Sequence, residues 1–289
     1  MRNNVIRSNF IAASSIRSKL LIIITMFITI SCTQTQENSH NASAKIDVLP
    51  EYIFSPVTDL SQQVNQTLTA AKTQNKKALL VLGAQWCHDS KGLAKNFSTP
   101  QMQKILTENY QVLFVDVGYL EKGFDLVKQF NIPIYYGTPT VMVVEPNSAK
   151  VLNRSSMKKW LSADKVPLTE YIEYFDSFAS NNSASNNIDL DKTKPAMQSY
   201  MDEINKFEQQ QALRLKKAYG IIGLLLQQYM ESDNKKSSDE FSNKWEQVSD
   251  FRSRIQDDIQ ALMAQAKTNV DTESSAPLNL PTYPPFTWE

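Results

Sequence analysis

The sequence predicts an α/β domain built on a central sheet, followed by a region that is helical throughout. Three observations carry this. Short apolar runs at residues 78–83, 111–117 and 140–144 have the character of strands buried on both faces. Helical stretches alternate with these runs between residues 50 and 178. Past a Ser/Asn-rich stretch the apolar spacing changes to steps of three and four, the period of a helix buried along one stripe.

The N-terminus reads as a targeting segment. Arg2, Arg7, Arg17 and Lys19 precede an apolar run of 11 residues, Leu20 to Ile30, which is too short to span a bilayer and suits a signal-peptide core. Ser31-Cys32 follows, so residues 1–31 resemble a bacterial lipoprotein signal, although Thr29 stands where that signal usually has Leu. The resemblance implies lipidation of Cys32 and a membrane anchor on the periplasmic side. Because Thr33 rather than Asp follows the cysteine, it also implies outer-membrane retention. A plain cleaved signal and an uncleaved anchor are the alternatives. Residues 32–49 are polar and read as a flexible tether.

Residues 50–178 form the expected α/β domain. Helices are predicted over 59–74, 90–97, 100–109, 124–130 and 168–178. Strands are predicted at the three apolar runs and over 151–153, after the turn Glu145-Pro146-Asn147-Ser148. Residues 179–195 contain SNNSASNN and read as a linker. Residues 196–267 carry two apolar stripes. Met197 to Tyr229 includes Leu225 and is interrupted at Glu208 and Gln211. Phe241 to Ala266 includes Trp245 and is interrupted at Arg252. Joined by the polar turn 232–238, they predict an antiparallel hairpin that folds separately from the sheet domain. The stripes suit its own core, with a partner helix as the alternative. Gly220 and Gly223 are candidate kinks. Residues 268–289 form a Pro-rich tail.

Composition narrows the function. The chain has 289 residues, with 30 basic and 30 acidic side chains. Without residues 1–31 it keeps 26 basic residues against 30 acidic ones, a formal −4, with no basic block. Nucleic acid is therefore not an expected partner. Cys32 and Cys87 are the two cysteines, and His40 and His88 the two histidines. A disulfide framework is excluded, and no metal site or cofactor is expected.

The chemistry-bearing segment is Trp86-Cys87-His88-Asp89-Ser90. A buried strand runs into Cys87 and a helix begins just after it, where free N–H groups and the helix dipole favour negative charge. His88, if protonated, adds to that, and Asp89 opposes it. A strand followed by Trp-Cys-x-x-Cys at a helix start resembles the thioredoxin superfamily. Gly137-Thr138-Pro139-Thr140, ahead of an apolar strand, resembles the cis-proline loop of that superfamily. The resemblance covers about residues 53–178. It implies a thioredoxin-like fold with a mixed sheet, and a Thr138-Pro139 peptide in cis beside Cys87. It further implies that Thr138 and Pro139 contact an extended substrate. Two departures stand out: Ser90 replaces the second cysteine, and Val81 replaces a buried acid.

Two functions follow. In the first, Cys87 attacks a disulfide and an external thiol resolves the adduct. Trp86, His88 and Ser90 then border the reacting sulfur, and protein thiols or disulfides, or glutathione, are the partners. Isomerisation or thiol capture suits one thiol better than net reduction. In the second, the fold is a redox-inactive binding or scaffold module for envelope proteins. Plainer readings stand beside each residue. Cys87 is an inert remnant, His88 a surface side chain, Asp89 a first-turn acid, and Ser90 a space-filler.

Overall fold

The computed structural model describes residues 51–179, 195–234 and 236–289. The expected signal and tether, with Cys32, lie outside the described residues, as do all but the end residues of the expected linker. Val48–Glu289 forms one compact unit.

The sheet comprises β1 (Lys77–Gly83), β2 (Tyr110–Asp116), β3 (Thr140–Glu145) and β4 (Lys150–Val151), in the order β2-β1-β3-β4. β1 and β2 are parallel, which requires a crossover, and α2 (His88–Phe97) and α3 (Pro100–Asn109) supply it. The β1–β3 and β3–β4 pairs are antiparallel. The first helix, α1 (Leu60–Thr73), starts at Asp59, whose carboxylate accepts the Gln62 N–H at 2.9 Å. Pro100 opens α3, where its missing N–H has no partner to lose.

Alternation along the strands builds two cores. Leu79 and Val81 of β1 and Val141 and Val143 of β3 face one way. They pack on α2, α3, α5 (Leu168–Ala179) and a 3-10 segment, Arg154–Lys165. Aromatic rings dominate this side: Phe97 meets Phe175 edge-on at 5.1 Å, and Trp160 stacks on Phe175 at 5.1 Å. Leu80, Leu82, Met142 and Val144 face the other way.

The 3-10 segment has no predicted counterpart. It buries only Trp160 and Ala163. The expected strand over 151–153 shrinks to Lys150–Val151 because Asn153 takes over the edge of β3. Its Oδ1 accepts the Val143 N–H at 2.8 Å, and its Nδ2 donates to the Val141 carbonyl at 2.9 Å.

The second core extends well past the sheet. α4 (Phe124–Gln129), α6 (Pro195–Glu231) and α7 (Asp239–Asp271) join α1 on it. Tyr229 stacks on Phe241 at one end of the helix pair, while Tyr200 donates to the carbonyls of Ser274 and Ala276 at the other. The two helices are therefore antiparallel. The sequence predicts a separately folding hairpin; in the structure its stripes share one buried apolar cluster with Leu80 and Leu82 of β1, and α6 reaches the sheet-bearing part through Tyr119, Tyr135 and Tyr136. Leu226, not Leu225, is the buried position, as a straight 3.6-residue helix requires.

The interruption at Glu208 and the candidate kink at Gly223 have structural reasons. Glu208 is buried, accepts from Tyr136 Oη at 2.9 Å and pairs with Arg154 at 2.8 Å. Burial, then the Glu208 carboxylate, pushes the Tyr136 phenol well above its usual range, so it remains a donor. Gly223 does not kink the helix. A Cβ there would collide with the Tyr119 carbonyl, so glycine lets α6 approach the loop after β2. The irregular tail folds back over the pair, burying Leu278 and Phe286. Arg214 holds Glu289 at 2.9 Å and also donates to the Pro284 carbonyl.

Candidate active site

β1 delivers Cys87 to the N-cap of α2, with φ −81° and ψ 122°. Lys91 N–H donates to the Cys87 carbonyl at 3.1 Å, closing the first helical turn. The Thr138-Pro139 peptide is cis and lies directly opposite. The Cys87 thiol donates to the Thr138 carbonyl, with Sγ 3.2 Å from the oxygen. Two loops far apart in sequence thus meet at one sulfur.

The other expected residues sit around this pair. Trp86 is half-buried and its indole Nε1 donates to the Gly118 carbonyl at 2.7 Å. Ser90 is fully buried, and its Oγ accepts from the Ala84 N–H at 3.4 Å. That contact ties the hydroxyl to the end of β1 rather than to the sulfur. The His88 side chain is 72% exposed, with Nε2 3.1 Å from Asp89 Oδ2. Val81 belongs to the apolar core, so no acid lies beneath the site at that position.

Although it stands at a helix start, Cys87 keeps only 8% of its surface. Thr138 and Pro139 are buried against it. The flank at Trp86 is walled by α7, where Trp245 meets Trp86 edge-on at 6.2 Å. Arg252, two turns further on, stacks its guanidinium on Trp245 at 5.5 Å. A methyl group placed on Gly137 would lie 3.4 Å from Arg252 Nη1, so the same guanidinium borders the cis-proline loop.

Sequence reasoning missed three of these partners. Asp89 is a structural tie, since its Oδ1 accepts the Asp164 N–H at 3.1 Å and anchors α2 to the 3-10 segment. Trp245 and Arg252 border the site from the helical region. A charge at Arg252 within an apolar stripe was the visible signal, and it read as a defect. Among the described residues no group of three or more His, Cys, Asp and Glu is placed to hold a metal ion. Nor is any described helix long and apolar enough to cross a membrane.

Residues 59–146 match the family described as thioredoxin-like. Among solved structures, a disulphide isomerase from Xylella fastidiosa Temecula1 aligns with 44% of this chain and 98% of its own. The identity is 26% and the TM-score 0.39. No curated protein matches the chain. The mixed β2-β1-β3-β4 sheet, with the cis Thr138-Pro139 peptide beside Cys87 and the match over residues 59–146, is a thioredoxin-like fold, followed by a helical C-terminal region.

Proposed function

We propose that the protein carries out thiol–disulfide exchange with Cys87 as its single reacting thiol. The observation that carries this is the approach of Cys87 Sγ to the Thr138 carbonyl, 3.2 Å away across the cis-proline loop. There an incoming disulfide meets the sulfur, a helix N-terminus and the backbone of the cis-proline loop together. In the reaction the Cys87 thiolate forms a bond to one sulfur of the disulfide. The old S–S bond breaks, and the other sulfur leaves as a thiolate that takes up a proton. Ser90 has no sulfur with which to expel Cys87 from the adduct, so a second, external thiol completes the cycle. Mixed-disulfide formation or disulfide isomerisation is the output this supports, rather than net reduction.

Ser90→Cys tests this. It restores a resolving thiol at the end of α2's first turn, so it should shorten the life of the Cys87 adduct and raise insulin reduction in part, with Val81 still apolar beneath the site. An unchanged adduct lifetime would contradict the single-thiol account. The burial of Cys87 favours a second reading, in which the groove binds extended polypeptide without exchange. Alkylation of native Cys87 near neutral pH separates the two.

The Ser31-Cys32 motif and the apolar run before it support export and lipid anchoring on the periplasmic side of an outer membrane. Cys32→Ala should release the protein from membranes or block its maturation. Unchanged membrane association without labelled fatty acid on the wild type would refute the anchor.

A further inference from the structure

Trp245 and Arg252 lie seven residues apart, so they occupy one face of α7, two turns apart. That face borders both loops of the Cys87 site. Trp245 packs on Trp86, the residue before the cysteine, and Arg252 lies against Gly137, the residue before Thr138. We propose that Arg252 is a specificity-determining residue that binds a carboxylate of a small anionic disulfide, of the glutathione type, while Cys87 attacks its sulfur. This rests on the exchange reading above and names the substrate class of the same site.

Charge is the first support. Arg252 is half-buried, and its contacts among the described residues are the Trp245 ring, the Tyr219 hydroxyl and Gly137. None is a carboxylate, whereas Arg154, Arg214 and Arg254 each hold an acid. The site therefore offers an uncompensated cation whose planar fork suits a carboxylate, held in place from two sides.

Size is the second. Cys87 and Thr138 each keep 8% of their surface, and α7 stands beside the sulfur. A helix beside a nearly buried sulfur hinders a disulfide embedded in a folded protein more than a short peptide disulfide, which favours the smaller substrate. The exchange balances without any further reagent. Cys87 gains a bond to one half of the small disulfide, and the other half departs as a thiol carrying the proton that Cys87 gave up. Arg252 holds the half that remains.

The test compares oxidised glutathione with the neutral hydroxyethyl disulfide on the full chain, following the Cys87 adduct by intact mass. Arg252→Met should slow adduct formation with oxidised glutathione by about 10-fold or more, the loss of one charge-assisted contact. With hydroxyethyl disulfide it should change the rate by less than about two-fold, because no charge is read. Arg252→Lys should retain part of the preference. In the unsubstituted protein the preference should shrink as salt rises, which requires no variant. Equal slowing with both disulfides would make Arg252 a packing residue and overturn the proposal, as would a preference indifferent to both substitution and salt. If the unsubstituted protein forms no adduct with either disulfide, the exchange reading itself falls, and the substrate assignment with it.

Discussion

The two faces of the sheet are closed by different parts of the chain. The face bearing Leu79, Val81, Val141 and Val143 is covered by α2, α3, α5 and the 3-10 segment, drawn from the same stretch of sequence as the strands. The face bearing Leu80, Leu82, Met142 and Val144 is covered by α1 and α4, and beyond them by α6 and α7 from the far end of the chain. One face is finished locally and is dense in aromatic rings. The other is shared with the helical region and is completed only when the helix pair docks. The candidate site lies on the seam: Cys87 caps α2 on the local side, while Trp245 and Arg252 arrive with α7 on the shared side.

Removing the helical region should break the comparison most severely. A chain ending at Ala179 would uncover Phe124 and Tyr135, which stack on Tyr219, and it should lose its cooperative thermal transition. A truncated chain that melts as cooperatively as the intact protein would show that the shared face is complete without the pair. On the local face, Trp160→Ala should cost about 3–5 kcal/mol by the cavity it leaves among Phe175, Tyr171 and Tyr174, read from chemical denaturation. The side-chain polar contacts across the shared face should matter less. Glu208→Gln removes the charge facing Arg154 and weakens the acceptor for Tyr136, and should cost about 1–3 kcal/mol. A double cycle with Arg154→Met should recover part of that as coupling.

The smallest effect belongs to the ion pair at the strand ends. The hydrogen bond from Lys77 to Glu145, at 2.5 Å, holds the Glu145 carboxyl below its usual range. A depressed carboxyl stabilises the folded state above its unfolded range and loses that contribution as pH falls through it. Lys77→Met should therefore cost under about 1 kcal/mol near neutral pH, and the difference from the native chain should vanish in acid. A gap that widens in acid would reverse the sign of this account.

The local face was the more legible in the sequence. Continuous apolar runs marked β1, β2 and β3, Asp59 and Pro100 marked helix starts, and the order of Trp86-Cys87 and Thr138-Pro139 marked where two loops meet. The shared face was not legible, because a stripe of threes and fours is the same whether a helix packs on its twin or on a sheet. Glu208 and Arg252 were the discriminating residues. A charge within a buried stripe points to contacts off the helix: Glu208 reaches Tyr136 and Arg154 on the sheet-bearing part, and Arg252, besides Trp245 and Tyr219, borders Gly137 there. The burial of Cys87 was hidden for the same reason, since α7, which walls its flank, lies more than 150 residues away in the chain.

The central claim is that Cys87 reacts as a thiol in the folded protein, and it is tested most directly by exposing the native full chain to oxidised glutathione and weighing it intact. The account predicts one glutathione adduct, lost in Cys87→Ser, that persists once the disulfide is removed and decays only when an external thiol is added. An adduct that forms only after denaturation would contradict it and leave the groove as a binding site without exchange.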